Sequence, residues 1–187
     1  MQQYRRGSGL IIGLVALGLL AGAALTASPA QAATGTGPYY APPAWDRKLP
    51  TATRFVVLTN WNSEAVLDKE TGLVWERSPD AATSTWFEQT LACTNRTIGT
   101  RKGWRLPSVH ELGSLLHPEQ GDPALPLGHP FTNVQSAAYW SATTTAGDPT
   151  RALALDIAIH GGLMVSRLKL NVFPAWCVRG GNNADQY

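Results

Sequence analysis

The 187-residue chain carries 15 Lys and Arg against 13 Asp and Glu, with 15% charged and 44% hydrophobic residues. Its length fits one domain of roughly 100–200 residues, and its apolar content, with so few charges, excludes a charged disordered chain. Arg5 and Arg6 are the only charged side chains before Ala33, so the remainder holds 13 basic and 13 acidic residues. That balance excludes a global electrostatic grip on nucleic acid.

Residues 1–32 have the three parts of a secretory signal: Arg5-Arg6, an uncharged apolar run over 10–27, and Ala30-Gln31-Ala32 at the cleavage positions. A retained membrane anchor is the competing reading, because the run is about long enough to span a bilayer. The small-residue site directly behind the run favours cleavage, with a mature N-terminus at Ala33 and no membrane span thereafter. The protein is therefore expected outside the cytoplasm, periplasmic or secreted. Residues 33–53, rich in Gly, Pro and Thr, read as a linker or extended arm, with Tyr39, Tyr40 and Trp45 docking on the domain. The domain is expected over 54–181, followed by a tail over 182–187.

Within the domain, residues 55–58 are β-rich, and 65–68 and 73–76 flank Lys69-Glu70-Thr71-Gly72 as a hairpin. Two helices follow, each announced by a capping box: Thr85 with Glu88, and Ser108 with Glu111. His117-Pro118 ends the second helix. Four prolines, at 118, 123, 126 and 130, mark 118–135 as a long loop, and long ordered loops are often functional. Strands are predicted over 138–143, 152–159, 163–170 and 175–179. In 152–159, Leu153, Leu155, Ile157 and Ile159 share one face. This order points to an α+β fold of two helices, a long loop and antiparallel strands.

Cys93 and Cys177 are the only cysteines. In an oxidising compartment two cysteines suit one disulfide, here tying a helix to the last strand. A reactive thiol is the alternative, but there is no CxxC and no His beside Cys93. No metal or cofactor is implied: His110-Glu111 lacks the second His of H-E-x-x-H, since position 114 is Ser, and no phosphate or dinucleotide loop is present. Glu119 and Asp122 beside Gly121 fall short of a calcium loop. Trp61, in a polar Thr-Asn-Trp-Asn-Ser setting, offers a flat apolar face suited to a sugar.

Four segments together resemble the DUF1566 family, the domain also known from the C-terminus of the Legionella collagen-like adhesin. They are 65–77 (AVLDKETGLVWER), 103–116 (GWRLPSVHELGSLL), 123–144 (PALPLGHPFTNVQSAAYWSATT) and 176–181 (WCVRGG). The resemblance implies a C-type-lectin-like fold with a helix-to-strand bridge and a long loop before the final strands. The family's adhesin member suggests binding of host or surface polysaccharides; a surface protein is the other partner expected. No collagen-like stalk precedes the domain, and Trp140 is followed by Ser141-Ala142 in place of the lectin Asn-Asp.

The expected function is thus a secreted or periplasmic, non-enzymatic binding module. Trp61, Glu119, Asp122, His129 and Asn133 are the candidate contacts. An acidic polysaccharide would need a local basic patch, such as Arg101-Lys102 with Arg105, or Arg167 with Lys169. The alternatives are an extracytoplasmic hydrolase using His and carboxylate groups, and a structural subunit of a surface assembly.

Overall fold

The computed structural model describes residues 49–181. The leader, the arm as far as residue 48 and the tail over 182–187 lie outside the described residues. Among the described residues no helix is long and apolar enough to cross a membrane.

Among the described residues the architecture is α+β: three α-helices and seven strands, antiparallel throughout, in two sheets. The first sheet has the order β1 (Phe55–Val57), β2 (Ala65–Asp68), β3 (Val74–Glu76), β7 (Val178–Arg179). The second runs β4 (Ala138–Thr144), β5 (Arg151–Asp156), β6 (Leu163–Leu168). The expected hairpin forms in register, Leu67 opposite Val74, and Gly72 takes the positive φ of 71° that its turn requires.

Both capping boxes are present. Thr85 and Glu88 start α2 (Trp86–Asn95), and Ser108 and Glu111 start α3 (Val109–Ser114), with side chain and backbone satisfying each other in both. The second helix stops earlier than the His117-Pro118 signal, after six residues, with Leu115 at its C-cap. A third helical turn, α1 (Thr51–Arg54), extends the domain N-terminally. Residues 49–53, assigned by composition to the arm, are bonded to the domain: Leu49 N–H donates to Glu70 Oε1 at 2.8 Å, and Arg54 is buried beside Asp68.

Alternation along the strands sends successive side chains to opposite faces, and here both faces are covered. Val66, Trp75, Tyr139 and Val178 enter one apolar cluster, while Ala65, Trp140 and Cys177 enter a second. Trp176 lies at the middle of the first, edge-on to Phe131 at 4.9 Å and to Trp75 at 6.0 Å. The second contains the Cys93–Cys177 disulfide with Trp104 and Trp140. In β5, Ala152 and Ala154 are buried in the second cluster and Leu155 in the first, so the small face of the strand is interior. Ala154 lies opposite Trp140, where a small side chain leaves room for the indole. The strand ends at Asp156, three residues before the predicted limit, because its carboxylate accepts the Ala158 N–H and turns the chain.

The long loop between α3 and β4 is as irregular as its prolines require, yet it is partly interior. Ala124, Leu125 and Phe131 are buried, and Ala124 N–H donates to Ile157 O at 2.8 Å.

A cleft beside a tryptophan and three cations

β3 ends at Glu76, and its backbone there is held from the C-terminal segment. Glu76 N–H donates to Cys177 O at 3.1 Å, and Trp176 Nε1 donates to Glu76 O at 2.8 Å. Since Trp75 faces the first cluster, Glu76 turns to the opposite face, where it is only 7% exposed. Its Oε1 lies 3.5 Å from Arg96 Nη2, and its Oε2 is buried without a hydrogen-bond partner among the described residues. Arg96 caps the C-terminus of α2 through its N–H to Cys93 O. Its Nη2 is shared between Glu76 and Asp80, the latter at 3.4 Å, and its Nε is buried with no partner among the described residues. Both separations exceed the roughly 2.7–2.9 Å of a tight charge-assisted bond. Burial pushes the Glu76 carboxyl up to about 7, and the attraction of Arg96 offsets only part of that.

A cleft of about 440 Å³ opens over this carboxyl, with Ser63, Glu64, Arg77, Thr97 and Thr132 on its walls. Glu64 is already engaged, its Oε2 accepting the Gly99 N–H at 2.6 Å. Arg77 donates from Nε to Pro130 O and from Nη1 to Ser63 O, both at 3.2 Å, which ties the long loop to the wall. Gly99 cannot carry a side chain: at φ +56°, a Cβ would lie 2.5 Å from Trp61 Cβ.

Trp61 stands on the far side of that wall, at the end of the 3-10 turn Thr59–Trp61, with its carbonyl accepting the Glu64 N–H. Its ring meets Trp104 edge-on at 6.4 Å. The guanidinium groups of Arg101 and Arg179 lie 5.5 and 5.4 Å from the indole centre, within cation–π range. Arg179 Nε also donates to Lys102 O at 2.8 Å. Arg101 and Arg179 thus meet at one indole, with Lys102 joined to Arg179 through its backbone carbonyl, and none of the three forms a salt bridge among the described residues.

The five candidate contacts fall on different parts of the fold. Trp61 is half-buried in the cation cluster just described. Asn133 is exposed next to Thr132 of the cleft, its Nδ2 donating to Pro79 O at 2.9 Å. Glu119 and Asp122 are exposed near the β5–β6 turn, where Gly161 N–H donates to Gln120 O and Gly121 packs against His160. His129 is half-buried and tilted on Phe131 at 5.8 Å; burial lowers its pKa, and Nδ1 is buried without a partner. No hydrogen bond links any of the five to another among the described residues.

The basic patch has a different third member from the one expected. Arg105 is held by Glu111 through two 2.7 Å contacts and by Gly180 O, so it is not free for a partner; Arg179 stands with Arg101 and Lys102 instead. In the other expected pair, Lys169 lies 4.1 Å over the Trp86 ring and donates to Thr144 Oγ1, while Arg167 is exposed on β6. Sequence reasoning passed over Glu76 and Arg96 altogether. The usable signal was a strand, Val-Trp-Glu, whose two faces are both covered, which forces its glutamate inward.

No curated protein matches the chain. Residues 64–179 match the Lcl C-terminal domain family, a stretch that includes both cysteines, Glu76, Arg96 and the two arginines against Trp61 as well as Lys102. The match takes in more than half of the chain, from the start of the β2–β3 hairpin to the end of β7, and the chain belongs to the Lcl C-terminal domain family.

Proposed function

We propose that the protein is an extracytoplasmic, non-enzymatic binding module that takes an acidic polysaccharide at the face formed by Trp61, Arg101, Lys102 and Arg179. The observation that carries this reading is the pair of guanidinium groups, Arg101 and Arg179, held against one indole, with neither in a salt bridge among the described residues. Trp61 and the Lys102 carbonyl fix both guanidinium groups in place, so little side-chain freedom is lost when an anion binds. Guanidinium is the group best matched to carboxylate and sulfate geometry. The buried disulfide and the lack of a membrane-spanning helix among the described residues fit a domain that works outside the cytoplasm.

The test is retention on immobilised heparin or dextran sulfate with a rising salt gradient. Arg101→Ala and Arg179→Ala should each weaken binding about tenfold, the loss of one charge-assisted hydrogen bond, and binding should fall with salt. Retention unchanged in the double variant would remove the reading. Glu119→Ala, Asp122→Ala and His129→Ala serve as controls on the long loop. A loss there comparable to that of the arginine variants would move the contact surface to the loop.

One observation favours a hydrolase instead: a carboxyl brought near 7 in a cleft is suited to general acid–base work. Release of new reducing ends from an oligosaccharide, abolished by Glu76→Gln, would establish that activity. Binding without turnover supports the module.

A further inference from the structure

We propose that the cleft over Glu76 is a separate binding site for a neutral sugar residue, held through two neighbouring hydroxyl groups. The cleft, at about 440 Å³, has the capacity of a small-ligand site. Glu76 and Arg96 both line it, and each holds a buried atom with no partner among the described residues, an acceptor at Glu76 Oε2 and a donor at Arg96 Nε, both closed to water in this conformation. Buried polar groups are almost always paired, and one left bare is costly. The two side chains are neighbours, Glu76 Oε1 and Arg96 Nη2 being 3.5 Å apart, so one ligand toward which both turn can satisfy both.

The chemistry of that ligand follows by exclusion. An anion would face the Glu76 carboxyl on the floor and Glu64 on the wall. A metal ion would face Arg77 and Arg96, and no group of three His, Cys, Asp or Glu among the described residues is placed to hold one. An apolar ligand would leave both bare groups buried and unpaired. What fits is an uncharged ligand that donates and accepts at adjacent atoms, one hydroxyl donating to Glu76 Oε2 and its neighbour accepting from Arg96 Nε. Ser63, Ser78, Thr97 and Thr132 supply further hydroxyls around the opening. A peptide amide also donates and accepts, but Ile98 is the one apolar residue on the lining and leaves no socket for peptide side chains. A sugar diol is therefore the better match. Because the ligand is uncharged, this site does not depend on the acidic-polysaccharide reading.

The experiment is a titration of the full-length, ¹⁵N-labelled protein with the methyl glycosides of glucose, galactose, mannose and N-acetylglucosamine. N-acetylalanine methylamide serves as the amide probe. At least one glycoside should give saturable shifts at the amides of residues 76–78, 96–98 and 132. Glu76→Gln should weaken that binding about tenfold or more, equivalent to about 1.4 kcal/mol. Ser78→Leu, an exposed change at the rim that leaves both apolar clusters untouched, should block it while the spectrum stays dispersed. The proposal is overturned by any of three results: no saturable shift with all four glycosides, shifts with the amide probe alone, or unchanged affinity in Ser78→Leu. Loss of heparin retention in the arginine variants with glycoside shifts intact would separate the two sites.

Discussion

Asp68 and Glu76 close the two strands of the same hairpin, both are buried, and both have an arginine nearby, yet their surroundings differ in kind. Asp68 is saturated. Arg54 donates to its two oxygens at 2.9 and 2.7 Å, Glu70 N–H adds a bond to Oδ1, and Thr71 Oγ1 adds one to Oδ2. The same Arg54 reaches Glu70 at 2.8 Å and Ser114 O at 2.7 Å, so donor and acceptor are both used up. Glu76 has a single arginine at 3.5 Å and one oxygen with nothing at all. The first arrangement locks α1 and the hairpin together. The second leaves interaction capacity unspent at the floor of a cleft, as a ligand site does.

The largest effect is expected for Asp68→Ala, which strands Arg54 in the interior and should cost about 3–5 kcal/mol in urea unfolding. A loss below 1 kcal/mol would show that the Arg54 pair is not structural. Glu76→Gln should act in the opposite direction. The folded state holds a proton on Glu76 up to about pH 7, whereas its ordinary value is 4.5. The contribution of Glu76 to stability is therefore fully present below pH 4.5 and is lost as pH rises through that window. The Gln variant should lack this fall and exceed the parent above pH 7 by up to about 3 kcal/mol. A parent whose stability does not fall between pH 4.5 and 7 would contradict the burial argument. Next comes Thr71→Ala, which removes one buried donor from Asp68 and should cost about 1–2 kcal/mol. The smallest effect is expected for Asp80→Asn, whose side chain is 54% exposed. Stability should change by less than about 0.5 kcal/mol. Because the Asp80 charge helps to raise Glu76, the Glu76 carboxyl should titrate lower in this variant, as followed by carboxyl-carbon NMR.

What the sequence revealed and what it hid divide by range. The capping boxes Thr85/Glu88 and Ser108/Glu111 were legible because both partners lie within one helical turn. The β2–β3 hairpin was legible because its turn and alternation are local. The disulfide was legible from compartment and count, without knowledge of which surfaces it joins. The interior role of the long loop was hidden, since Phe131 is buried against Phe55 and Trp176 from opposite ends of the domain. Glu111 shows a subtler failure. Its Oε2 completes the cap by accepting Ser108 N–H at 2.8 Å, and it also takes Arg105 Nη1 at 2.7 Å. Reading only the cap left Arg105 in the expected binding patch. Glu76 was missed because its environment comes from α2 and the last strand, distant in sequence, whereas Trp61 stood out through its polar neighbours.

The pairing of β3 with β7 also bears on how the chain comes off the ribosome. Val74 and Trp75 wait for Arg179 and Val178, and Glu76 N–H waits for the carbonyl of Cys177. A growing polypeptide that has not yet reached Trp176 lacks the centre of its first apolar cluster and one flank of its first sheet. Closure of the first sheet and of its apolar cluster thus requires the last strand to be present. Shortening the domain by a few residues ahead of Val178 would leave that flank exposed for pairing with other chains.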